Sequence, residues 1–157
     1  MGLNFIFLNS KKIKFSLFIL FIIMSFGITN CAKKKLKPWN NPELTQLKKD
    51  SLYKYISDTT WVGNGIKPNG TEGAKFKIYF NPDRSSELWV PHKKMPDVGN
   101  WRIDEDDSVC TSYKYLRSGH ESCQLVFRVG KSEKLETYDL NGNLKNKIRK
   151  VTIGYDM

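Results

Sequence analysis

Two histidines, His92 and His120, and two acid-rich stretches are the residues of this chain whose types could do chemistry. A histidine titrates near neutrality and can move protons, but only beside a held nucleophile or water. Neither histidine is spaced from a serine, cysteine or acid so as to single out a partner, and both fall in expected loops, so no catalytic residue is assigned. Nor does either sit at ligand spacing from a second histidine or cysteine; no metal site and no cofactor is expected. Asp104-Glu105-Asp106-Asp107 could attract Ca²⁺ through clustered carboxylates. On an extended chain, however, successive side chains point to opposite sides, which favours a solvated hairpin turn. Asp139-Leu140-Asn141-Gly142-Asn143 begins like a calcium loop, yet its glycine is misplaced and the twelfth position is Lys150 rather than Glu. Asn141-Gly142 reads instead as a two-residue turn between strands.

The aromatic residues are the better candidates for ligand contact: Trp61, Trp101 and Phe127 above all, with Trp89, Tyr79, Phe76, Phe80 and Tyr113 beside them. Tryptophan and tyrosine combine a large apolar face with a hydrogen-bonding edge. The competing reading is that these rings fill the core, and it is favoured, because a domain of about 100 residues needs bulky side chains for stability. A cavity lined by Trp61, Trp101 and Phe127 would point to a small hydrophobic ligand. A filled interior with an exposed aromatic patch would point to a protein-interaction or inhibitor module. An envelope hydrolase would need His92 or His120 to meet a carboxylate or hydroxyl in one cleft.

These side chains are positioned by short strands that recur with turns at the spacing of an antiparallel sandwich or barrel. Ala74 to Phe80 is the clearest, with Phe76, Ile78 and Phe80 facing one way and Lys75, Lys77 and Tyr79 the other. Asn81 to Ser85 turns the chain into a strand at 87–90, and two prolines make Pro91 to Val98 an irregular connection. Further strands are expected at 60–66, 100–104, 108–115, 122–129, 134–140 and 144–154. In the last, Leu144 and Ile148 share one parity and Val151 and Ile153 the other, which calls for a bulge near Arg149 or Lys150. Asn40 or Asn41 can cap a helix over about 42–57, with Pro42 in its first turn. The fold class expected is mainly β: an antiparallel up-and-down meander forming a small barrel or curved sheet, with one short N-terminal helix. The domain would span 42–157, with its β part at about 59–155.

Ahead of the domain, Lys11, Lys12 and Lys14 precede an uncharged run from Phe15 to Ile28 that ends at Thr29-Asn30-Cys31. The run is shorter than the roughly 20 residues a helix needs to span a bilayer, so residues 1–30 read as a signal peptide. Cys31 directly after such a run resembles a bacterial lipoprotein signal, which implies lipidation of Cys31, although Asn30 replaces the small residue usual before it. The net charge of +10 includes three lysines and no acids in residues 1–30, leaving +7 beyond them. Six lysines against Glu43 and Asp50 place +4 of that in residues 31–50. A basic tether over 31–41 would be drawn to an anionic bacterial membrane surface, or would simply be solvated. The near-balanced remainder, with no binding motif, argues against nucleic acid.

If Cys31 carries lipid, Cys110 and Cys123 remain as one pair. Closed as a disulfide in an oxidising compartment, their loop would contribute about 3 kcal/mol; two separate buried thiols are the alternative. Cys110 directly opposite Cys123 would leave Tyr115 to Ser118 as a wide loop, whereas a tighter turn at Ser118-Gly119 would set the pair out of register.

Thr60-Trp61-Val62-Gly63, Gly99-Asn100-Trp101-Arg102-Ile103, Cys110, and Cys123 through Gly130 together resemble the core of a family of small secreted bacterial proteins without an assigned activity. The resemblance implies an all-β exported module and transfers no catalytic residue. The expected protein is therefore a non-enzymatic, lipid-anchored envelope protein in the periplasm or on the outer surface, binding another envelope protein or a small hydrophobic ligand.

Overall fold

The computed structural model describes residues 36–91 and 93–157. The signal segment 1–30, Cys31, the first part of the tether and His92 lie outside the described residues. After a 3₁₀ turn at Pro38–Asn40 come β1 (Leu44–Gln46) and α1 (Lys49–Ile56). Eight strands follow: β2 (Thr59–Ile66), β3 (Glu72–Phe80), β4 (Ser85–Trp89), β5 (Asp97–Ile103), β6 (Ser108–Tyr113), β7 (Ser122–Val129), β8 (Leu135–Tyr138) and β9 (Leu144–Ile153). Each pairs antiparallel with the next, and β9 returns to β2, so the meander closes into an eight-stranded barrel. All eight expected strands are present with shifted ends, and closure removes the open edges that a curved sheet would leave.

The helix is shorter than its sequence suggests. Residues 42–48 turn and extend instead: the Asn41 side chain accepts the Glu43 amide at 3.1 Å, and β1 pairs with Phe127–Val129. The cause lies in β7, whose pairing with β6 ends at Leu125. Beyond that point its backbone groups need partners, and a loose apolar stripe does not outweigh several unmade hydrogen bonds. The Leu47 amide extends the ladder by donating to the Val126 carbonyl at 2.9 Å.

Alternation sends one face of every strand inward. Trp61, Phe76, Phe80, Leu88, Trp101, Val109, Val126, Leu135 and Ile148 form one core with Leu52 and Ile56 of α1, which close one end of the barrel. Phe80 meets Trp61 and Trp101 edge to face, with ring centroids 5.0 and 6.0 Å away. The indole N–H groups of the two core tryptophans find carbonyls, Trp61 to Tyr55 at 2.9 Å and Trp101 to Asn81 at 2.8 Å. The parity switch in β9 is resolved where expected. Val62 pairs with Lys150 but Gly63 with Ile148, leaving Arg149 as the bulged residue, and its guanidinium reaches Glu72 at 2.6 Å.

One turn design recurs four times. In Lys67–Thr71, Asn81–Ser85, Asp104–Ser108 and Asp139–Asn143 the fourth residue donates its amide to the first carbonyl. That fourth residue, Gly70, Arg84, Asp107 or Gly142, has φ between +63° and +83°. This is a type I turn closed by a left-handed residue, so Asn141-Gly142 belongs to a three-residue loop rather than to a two-residue turn. Asp107 also accepts the Lys49 amide at 2.9 Å, which fixes the start of α1.

Cys110 and Cys123 are directly opposite and joined as a disulfide, the register that requires a wide loop between them.

Candidate functional site

The end of the barrel opposite α1 is open. The β2–β3, β4–β5, β6–β7 and β8–β9 connections surround it, and a cavity of about 210 Å³ lies within. Its apolar walls come from the inward positions of β3 and β4, namely Phe76, Ile78 and Leu88, and from Val90 just beyond β4. Leu116 closes over them from the β6–β7 loop. Tyr113, Arg117, His120, Gln124 and Asn146 supply the polar groups. A smaller void of about 50 Å³ lies among Trp61, Phe80 and Ile148, sharing Gln124 and Asn146 with the mouth.

Between apolar core and open mouth runs a polar belt. The Gln124 carbonyl oxygen accepts from Thr137 at 2.5 Å and from the Asn146 amide at 2.8 Å, and Asn146 also donates to the Thr137 hydroxyl at 2.8 Å. Polar groups inside a barrel are stable when they satisfy one another in this way.

The β6–β7 loop hangs from a buried carboxylate. Asp97, 4 % exposed, accepts the Leu116 amide at 2.7 Å and the Tyr115 amide at 3.1 Å. Below this hinge Arg117, Ser118 and Gly119 have φ of +54°, +55° and +80°. Three successive left-handed residues, two with side chains, are costly, and such strain concentrates where a loop serves a site. Gly99 lets the backbone of β6 come close: a Cβ there would collide with the Ser112 carbonyl oxygen and stand 2.7 Å from the Tyr113 ring. Burial pushes the pKa of the Tyr113 hydroxyl up to about 12, although the neighbouring Ser86 hydroxyl opposes it, with Asp97 adding a smaller upward push. The Tyr113 hydroxyl therefore stays a proton donor, beside that of Ser86.

The residues singled out by type fall in different places. Trp61 and Trp101 stand in the packed core, while Phe127 lies on the outer face of β7 with Tyr138, centroids 5.4 Å apart. The three rings thus share no cavity wall. His120 lines the mouth, and among the described residues no side-chain hydrogen bond joins it to a carboxylate or hydroxyl. Asp104, Cys110 and Cys123 bring ligand-type atoms within 4.8 Å of one another, but both sulfurs are bonded to each other and Arg102 holds the carboxylate at 3.0 Å. Arg102 also grips Glu121, at 2.8 Å, and depresses the pKa of both acids. Asp139 is occupied too, by the backbone and side chain of Asn143 and by Lys145. Asp97, Arg117, Gln124 and Asn146 belong to the mouth although no residue-type pattern marks them in the sequence. The signal available was parity: Gln124 and Asn146 are polar at positions in step with inward-facing Val126 and Ile148.

No family model, curated protein or solved structure matches this chain. The site stands on its geometry alone.

Proposed function

We propose that this is an exported, lipid-anchored bacterial envelope protein whose barrel binds a small amphipathic molecule at its mouth, without catalysis. The observation that carries the binding role is a closed barrel, filled at one end by α1 and open at the other to an apolar pocket with a few convergent polar groups. At about 210 Å³ the pocket falls below the roughly 300–1,000 Å³ of drug-sized sites, so its natural occupant is a short aliphatic chain or a single ring. Export is supported by the basic-then-apolar segment ahead of Cys31 and by the Cys110–Cys123 disulfide, a bond favoured outside the reducing cytoplasm. The resemblance to small secreted proteins points the same way.

The test is direct. Short alkanoates should raise the melting temperature of the full chain, and Leu88→Trp, which fills the pocket, should abolish that rise while the protein remains folded. Identical responses from wild type and Leu88→Trp would remove the mouth from consideration. Mass spectrometry of the exported protein should find residues 1–30 gone and lipid on Cys31.

A further inference from the structure

The mouth differs from the plugged end in what it shows to its surroundings. Its four connecting segments carry Lys67, Lys93, Lys94, Lys114 and Arg117 against Glu121 and Asp139, five cations to two acids. Those two acids are already engaged, Glu121 by Arg102 and Asp139 by Lys145. The plugged end has cations too, Lys48, Lys49, Lys54, Arg84, Lys131 and Lys134, but there acids outnumber them: the run Asp104 to Asp107 with Asp50, Asp58, Asp83 and Glu133. Large apolar residues are exposed at both ends, Tyr53, Ile153 and Tyr155 toward the plugged end, but more of them stand around the mouth, among them Trp39, Met95, Tyr115, Leu116 and Leu140, Met95 by 75 % and Tyr115 by 66 %. Lysine, arginine and exposed aromatic and aliphatic side chains side by side fit a bilayer interface, where rings and stems enter the headgroup layer and cations meet anionic lipid.

We infer that the barrel mouth is a membrane-docking surface whose occupant is the face of an anionic bilayer, with the pocket opening toward the lipid. Charge complementarity favours this over a protein partner, because the exposed cations are spread over separate loops around a ring rather than gathered at one contact. The course of the chain agrees. Lys37 hydrogen-bonds the Asn141 carbonyl, and a side chain at Gly142 would meet Lys37, Pro38 and Trp39, so the chain arrives at the barrel on its mouth side. Cys31 precedes Leu36 by five residues, a reach of at most about 17 Å. A lipid on Cys31 would draw the mouth, not the plugged end, toward the bilayer. The inference rests on the envelope reading above for its setting, but not on the identity of the pocket's occupant.

Lysine footprinting of the full chain on vesicles tests it. On phosphatidylcholine vesicles containing phosphatidylglycerol, Lys67, Lys93, Lys94 and Lys114 should acetylate about fivefold more slowly than without vesicles, while Lys49, Lys54, Lys131 and Lys134 at the other end keep their rates. The protection should disappear on pure phosphatidylcholine and in about 1 M salt, where the screening length is about 3 Å. It should also disappear in a chain carrying Lys67→Glu, Lys93→Glu, Lys94→Glu and Lys114→Glu that melts at the wild-type temperature. Equal reactivity of the two lysine sets on anionic vesicles, or protection of the plugged end, overturns the inference. Absence of lipid on Cys31 or of an alkanoate response would count against the function proposed above and leave this result untouched.

Discussion

At one end of the barrel α1 drives Leu52 and Ile56 between the strand ends, and Asp107 caps its first turn; at the other a strained loop hangs from the Asp97 carboxylate over a partly empty pocket. Turns of one design bound both ends, so the contrast does not come from the hairpins. It comes from what covers the opening: an amphipathic helix that buries apolar area, or a loop whose side chains are left in solvent. Folding free energy is thus concentrated at the plugged end, and the freedom to admit a ligand at the mouth.

The largest expected effect separates the two ends by truncation. Leu52→Ala should lower the unfolding free energy by about 3 kcal/mol, because the side chain is fully buried and leaves a cavity. Leu116→Ala, at the mouth, should stay within about 0.5 kcal/mol. Urea denaturation of both variants measures the contrast, and comparable losses would break it.

Removing the disulfide comes next. It links residues 13 apart and ties the two strands that carry the mouth loop, so replacing both cysteines by serine should cost about 3 kcal/mol. Hydrogen exchange should then speed up first at Tyr115 to His120, with α1 amides following only the global change.

The smallest effect concerns pH. Although burial opposes it, bonds from Asn143 and Lys145 hold Asp139 down to about 2. Its ordinary value is about 3.9, so its contribution is present above about pH 4 and is lost as pH falls through about 2. Asp139→Asn should therefore be less stable by about 1 kcal/mol at pH 7, the partial exposure of the side chain keeping the figure small, and the gap should close toward pH 2. A gap independent of pH would place the effect in the turn geometry rather than in the charge.

The barrel was legible because alternation is local: each strand names its own inward face, and the parity switch beyond Ile148 announced the bulge at Arg149. Other features depend on partners distant in sequence. Leu44-Thr45-Gln46 has no strand signature of its own and is extended because β7 offers an edge there. Val126 and Phe127 are adjacent, apolar and both buried, so composition could not say which faces the interior. The mouth was missed for a related reason. Its loop is held by Asp97, about twenty residues upstream, and its left-handed backbone at Arg117 and Ser118 has no residue-type signal.

One consequence follows from the divided edge of β7, taken by β6 as far as Leu125 and by β1 from Phe127 onward. The segment before the helix is a guard as well as a lead-in. Proteolysis that removed it would bare the backbone donors and acceptors of Phe127 to Val129 on an otherwise seamless wall. A second copy could supply the missing strand there, so self-association by strand exchange is the hazard that three short residues keep in check.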